Sequence, residues 1–267
     1  MICGMLLGAM LLTMGSATPG ASTCTTPPLV HAGCKLSSYG GTNRVMYGSW
    51  TLCSEYLSER SHILSIGIGG DISFDIAAVK RHGARVACFD PTITAGRFEA
   101  LIKPYNLSVA QRALVKFYPF GMAAGDDVLA FYRHNNPAFG SMVSTPGVPH
   151  YRTEPWVRAP VLRVQTMQFI TQVPQIDLLK MDIEGAEWFI FTKKNKSLRD
   201  WLRCNPPQQI AIEFHDRFFK TFKKYNWISR KSVLELLKRC GYSQRHQNAR
   251  TKEEVLFVRD HLPSTNC

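Results

Sequence analysis

Short apolar runs that each stop at glycines or acids, with helix-spaced segments between them, constrain this chain most. Residues 62–66 form such a run and end on Gly67-Ile68-Gly69-Gly70. Residues 85–89 end on Asp90, residues 176–181 on Asp182, and residues 209–214 are flanked by Glu213 and His215. Residues 73–82 have helical spacing with Gly83 placed as a C-terminal cap. Strands alternating with helices predict an α/β domain of Rossmann type, a mostly parallel sheet with helices on both faces. Ligands of such sheets bind beyond the carboxyl ends of the strands, which is where these glycines and acids fall.

Further elements complete the expectation. Helices are predicted over 94–103, 166–172, 186–192 and 232–240, with a short one within 46–61. A third strand is predicted over 114–120, and strands over 242–247 and 255–259 form a closing hairpin. Residues 121–160, rich in Gly and Pro, read as one long loop of the kind that serves as a substrate lid. Hydrophobic residues make up 45% of the 267 and charged residues 19%, enough apolar side chain for one full core and no sign of wholesale disorder.

No Lys, Arg, Asp or Glu precedes Lys35, and residues 5–14 are nearly all apolar before Gly15-Ser16-Ala17. Residues 1–17 read as a signal peptide, 18–45 as a flexible leader, 46–260 as the domain and 261–267 as a tail. The apolar run is too short to span a bilayer, so the expectation is a protein of the secretory pathway or the extracellular space without a stable transmembrane segment. Eight cysteines with no CxxC or CxxH pair argue against zinc. Cys24, Cys34, Cys53 and Cys267 are disulfide candidates in that compartment, with connectivity open, and Cys88 reads as an inert core thiol. Asn106-Leu107-Ser108 and Asn195-Lys196-Ser197 match the glycosylation acceptor pattern.

The glycine turn lets the backbone approach a ligand closely. A dinucleotide turn would need a third glycine where Ile72 stands, which disfavours a dehydrogenase. Asp90 is positioned to accept hydrogen bonds from both hydroxyls of a ribose, so the two features together point to a nucleoside cofactor. The acids Asp182, Glu184 and Glu187 follow the third run within six residues, in LLKMDIEGAEW. Acids at that rim orient an amine or hydroxyl, bind a metal or act as a base.

LLKMDIEGAEW resembles the signature of FkbM-type S-adenosylmethionine-dependent methyltransferases, which reads close to LKIDVEGAE. SIGIGGDISFD and CFDPT are similar to the methyltransferase-like protein 24 group within it. The resemblance covers about residues 46 to 260. It implies a seven-stranded sheet with a reversed last strand and S-adenosylmethionine as cofactor. Gly67 and Gly69 would contact its methionine part, Asp90 its ribose, and Asp182 would lie near the reacting methyl. Glu184, Glu187, Glu213 and His215 would shape the acceptor side. The pattern departs at Ser65, where such enzymes usually carry an acid, and at Asp71, where many carry glycine; Asp71 is the candidate substitute for the missing acid.

For a hydroxyl acceptor a base is needed, and His215 and Asp182 are the candidates. Asp182, Glu213 and His215 offer an alternative as ligands of a divalent metal. The net charge of +12 attracts polyanions without choosing among them. Residues 217–231 interleave six basic residues with Phe218, Phe219, Phe222, Tyr225 and Trp227. They support a competing reading, an inactive secreted protein that binds an anionic ligand through this patch. A signal peptide disfavours nucleic acid and favours a glycan or small-molecule acceptor.

Overall fold

The computed structural model describes residues 34–39, 50–134, 140–141, 151–192, 194–216, 229–264 and 267. The expected signal peptide, Cys24 and residues 217–228 of the basic-aromatic segment lie outside them.

The central sheet has seven strands. They are β3 (His62–Ile66), β4 (Arg85–Phe89), β5 (Val115–Tyr118), β10 (Leu178–Met181), β11 (Gln209–Glu213), β12 (Tyr242–Gln247) and β13 (Glu254–Arg259). Their order is β12-β13-β11-β10-β3-β4-β5. The five strands from β11 to β5 run parallel, and β13 is antiparallel to both its neighbours. The sheet is therefore mixed, with one reversed strand, as expected of the closing hairpin. The helices are α1 (Ser73–His82), α2 (Ala95–Ile102), α3 (Val109–Ala113), α4 (Val164–Thr171), α5 (Glu187–Ile190), α6 (Lys196–Cys204) and α7 (Arg230–Arg239). Successive side chains of each strand point to opposite faces. Leu64, Leu179 and Ile212 thus enter one apolar layer while Ile63, Leu178 and Ala211 enter the other. Burial of both faces is why these strands read as continuous apolar runs.

Three local expectations change. The segment 121–160 is not a loop throughout: it carries β6 (Gly121–Met122), β7 (Asp127–His134), β8 (Gly140–Ser141) and β9 (Tyr151–Leu162). These form a separate sheet of order β6-β9-β7-β8, in which β7 and β9 make an antiparallel ribbon. Proline hid β9, since Pro155 and Pro160 sit inside it at ladder positions. The helix expected within 46–61 is replaced by β2 (Trp50–Cys53) and a single 3₁₀ turn, Ser54–Tyr56. Within the leader, β1 (Leu36–Tyr39) pairs with β2 and is tied down by the Cys34–Cys53 disulfide. Gln209 fastens this hairpin to the main sheet by accepting from Cys53 N at 2.8 Å and donating to Cys53 O at 3.1 Å.

At the other end Cys267 bonds to Cys240, just past α7, so the tail is anchored too. Cys204 is also disulfide-bonded, and Cys88 is a free, fully buried thiol. Asn195 is unsuited to carry a glycan. Its side chain donates to Ile190 O at 3.0 Å and caps α6 by accepting from Leu198 N at 3.1 Å. Among the described residues no helix is long and apolar enough to cross a membrane.

Candidate functional site

The carboxyl ends of β3, β4, β10 and β11 bring the expected residues to one rim. Gly67 leaves β3 with φ +75° and donates to Phe89 O at 2.8 Å. A methyl group at Gly67 would stand 1.6 Å from Asp182 O, so the glycine turn and the acidic turn touch through backbone. Gly69 also has positive φ, +50°. Asp90, almost fully buried, uses Oδ2 to accept from Ile68 N at 3.2 Å and from Gly69 N at 2.8 Å. Its Oδ1 accepts from Thr92 N at 2.8 Å and from the Thr92 hydroxyl at 2.6 Å. Asp90 therefore clamps the glycine turn, and a hydroxyl already donates to its outer oxygen, the kind of donor that a ribose offers. The residues at the adenosine end thus fit S-adenosylmethionine: a rigid carboxylate with one exchangeable hydroxyl partner, beside a turn whose one side chain, Ile68, is buried in the core.

The methionine end departs from the expectation. Ser65 does not reach the rim. It is fully buried, pairs across the sheet with Lys180 on one side and Cys88 on the other, and its hydroxyl faces the Asp75 carboxyl. Asp71, two residues past Gly69, accepts from Ser73 N at 2.7 Å through Oδ1 and so organises the start of α1. The acid facing the buried row is Asp75 of α1. Burial pushes its carboxyl up to about 6, against the opposing pull of the Lys180 ammonium.

That shift has a measurable consequence. Below about pH 4 folded and unfolded chains both hold the Asp75 proton. Between about 4 and 6 the unfolded chain loses it and the folded chain keeps it, so stability falls as pH rises through that window. From 3.8 to about 6 the loss is at most about 3 kcal/mol. Asp75→Asn is expected to flatten this part of the profile in denaturant titrations at pH 4 and pH 7. Parallel profiles for the two proteins would contradict the assignment.

Lys180 received no role from the sequence, although a lysine inside so apolar a strand is itself the signal. Its ammonium donates to Gly67 O at 2.7 Å, lies 5.0 Å from the Trp50 ring centroid and 3.9 Å from Asp182 Oδ2. It thus supports the glycine turn from beneath.

The acidic turn closes the site. Glu184 has φ +53° and Gly185 φ +97°. An unstrained non-glycine residue seldom adopts such a backbone, and Ser141 of β8 holds it by donating to Glu184 O at 2.6 Å. Ser141 was unforeseen because it arrives from a segment read as loop. Glu187, fully buried, accepts from Ile183 N at 3.1 Å and pairs its Oε1 with His215 Nδ1 at 2.8 Å. His215 Nε2 stands 3.6 Å from Asp182 Oδ1, 3.5 Å from Glu184 Oε2 and 3.8 Å from Glu213 Oε1. Burial alone would lower the histidine pKa, but Glu184, Glu187 and Glu213 together hold it well above the usual value. Burial, and then the Asp182 charge, push Glu213 up to about 9. His215 is 1% exposed and Asp182 28% by side chain, so Asp182 is the group open to an incoming molecule.

The fold is similar to several solved structures at low identity. One is the methyltransferase FkbM from Methylobacillus flagellatus KT, at 15% identity and TM-score 0.45, covering 76% of this chain and 44% of that one. A second is a fibrillarin/Nop5p complex, at 12% identity and TM-score 0.39, covering 77% and 75%. A third is a putative sarcosine dimethylglycine methyltransferase from Galdieria sulphuraria, at 10% identity and TM-score 0.36, covering 72% and 58%. The chain thus spans less than half the length of the first of these. No curated protein matches it. The model of the methyltransferase FkbM domain matches residues 50–243, most of the chain, and the protein belongs to that family.

Proposed function

We propose that this protein is an S-adenosylmethionine-dependent methyltransferase that methylates a hydroxyl of a small molecule or a glycan. The observation that carries the reading is the backbone contact of the glycine turn with the acidic turn at Gly67 and Asp182, with Asp90 clamping the first and His215 facing the second. Glycines, a nucleoside-oriented carboxylate and acceptor-side acids are thereby held at one strand-end crevice. S-adenosylmethionine supplies a methyl group already activated on a sulfonium. The protein's own task is then orientation and proton handling.

Asp90, Gly67 and Gly69 hold the cofactor. Asp182 receives the acceptor's proton on a carboxylate oxygen. His215, with its Nδ1 fixed by Glu187, is a positioning residue, because its proton is held too firmly for it to serve as the base. Glu184 and Glu213 shape the acceptor side. The motifs SIGIGGDISFD and CFDPT support a place near the methyltransferase-like protein 24 group. Five disulfide-bonded cysteines, paired as Cys34–Cys53 and Cys240–Cys267 with Cys204 the fifth, support an oxidising compartment and the secretory reading of residues 1–17.

A second reading, a non-catalytic binding protein, draws on the buried Ser65 and on the internal partners of both Asp90 oxygens. Incubation with methyl-labelled S-adenosylmethionine and a panel of hydroxylated metabolites and glycans separates the two. The enzyme reading expects label in an acceptor together with equimolar S-adenosylhomocysteine, and loss of both in Asp182→Asn. Label transfer that is unchanged in Asp182→Asn would refute the role given to this carboxylate.

A further inference from the structure

We infer that Asp182, Glu213 and His215 form a binding site for a first-row divalent cation, with Glu187 orienting the imidazole. One ligand atom from each of the three lies within 4.8 Å of the others. Nε2 is 3.6 Å from Asp182 Oδ1 and 3.8 Å from Glu213 Oε1, too far for a hydrogen bond in either case. Ligand atoms placed about 2.1–2.2 Å from a common ion at open angles stand about 3.4–3.8 Å apart, so these separations are those of groups arranged around a central ion.

The imidazole is set for the task. Nδ1 donates to Glu187 Oε1 at 2.8 Å, so Nε2 is the nitrogen that faces Asp182, Glu184 and Glu213, and an ion bound there takes the place of its proton. A carboxylate behind a histidine in this way fixes its ring and tautomer for metal ligation. A separate observation points the same way: Glu187 Oε2 is buried without a hydrogen-bond partner, in a residue with no solvent exposure. So much buried carboxylate oxygen is costly unless a cation compensates it. One imidazole nitrogen with two carboxylate oxygens, and no thiolate or thioether, favours Mn²⁺ to Zn²⁺ over Ca²⁺ or Mg²⁺.

The inference rests on the methyltransferase reading only for what the ion does there. Beside Asp182 it is placed to attract an acceptor oxygen as a Lewis acid, while Asp182 Oδ2, on the Lys180 side, stays available for the proton. Ion binding is measured without turnover. The purified protein, stripped of metal, is titrated with Mn²⁺ and the free-ion paramagnetic resonance signal is followed. Zn²⁺, Mg²⁺ and Ca²⁺ are then used as competitors. S-adenosylhomocysteine binding is measured on the same samples, so that loss of the cofactor site and loss of the ion site are told apart.

The expected result is one saturable Mn²⁺ per chain, displaced by Zn²⁺ more readily than by Ca²⁺. Affinity should fall at least about tenfold in Glu213→Gln and in Glu187→Gln, and stay unchanged in Asp126→Asn, an acid that pairs with Arg163 elsewhere. Both glutamine variants keep the side-chain shape, and their folding is checked by circular dichroism. No saturable binding at millimolar Mn²⁺, or wild-type affinity in a folded Glu213→Gln, would overturn the site.

Discussion

Gly67→Ala is expected to destabilise the protein by about 2–5 kcal/mol and to abolish function even at temperatures where it remains folded. Two costs add. At φ +75° an L side chain pays about 1–2 kcal/mol for the left-handed backbone. The new methyl would stand 1.6 Å from Asp182 O and 3.3 Å from Ile183 Cγ2, and the first of these is backbone that cannot swing away. One turn or the other must move, at a price typical of overpacking, about 1–3 kcal/mol or more. Because the moving parts are the glycine turn and the acidic turn, the substitution separates the two halves of the site. A denaturant titration reads the first effect and cofactor calorimetry the second. A variant as stable as the parent would mean that the two turns do not touch as described.

Asp90→Ala is expected to remove cofactor binding by more than about 100-fold, and to cost about 2–4 kcal/mol of stability. The stability loss follows from its four hydrogen bonds, two of them to backbone N–H groups of Ile68 and Gly69 that would be left buried or poorly solvated. That coupling makes the alanine variant an ambiguous probe on its own. Thr92→Val resolves it. The clamp on the glycine turn stays, while the hydroxyl that occupies Oδ1 is gone, so a ribose hydroxyl meets no internal competitor. Cofactor affinity should then hold steady or rise by up to about tenfold, the worth of one hydrogen bond to a charged group. If Thr92→Val weakened binding as much as Asp90→Ala, the Thr92 hydroxyl would itself be contacting the ligand.

The rim was legible because parallel strands buried on both faces betray themselves as apolar runs, and their first polar residues are where ligands bind. Gly67, Asp90, Asp182 and His215 were read this way and do meet at one edge of the sheet. Side-chain direction along a strand was harder to read. Ser65 sits one residue from the rim, yet its register with Lys180 and Cys88 turns it beneath α1. The local bond of Asp71 follows from its place, since a short carboxylate two residues before a backbone N–H tends to bond locally, and it does so with Ser73.

The partners of His215 were equally illegible. The imidazole was a candidate base because free histidine titrates near neutrality, whereas its surroundings of carboxylates depend on two loops meeting. The ribbon of β7 and β9 is hidden in the sequence because Pro155 and Pro160 lie inside β9 and glycines surround the two strands, which gives the segment the composition of a loop. With it went Ser141, which steadies the backbone of Glu184.

The central claim is that the strand-end crevice binds S-adenosylmethionine. The most direct measurement is calorimetric titration of the disulfide-bonded protein with S-adenosylmethionine and S-adenosylhomocysteine, run beside Asp90→Ala and Thr92→Val with each protein's fold checked by circular dichroism. The account predicts one saturable site in the wild type, kept in Thr92→Val and lost in Asp90→Ala. A folded wild-type protein that gives no binding heat with either compound at millimolar concentration, across several temperatures, would contradict it.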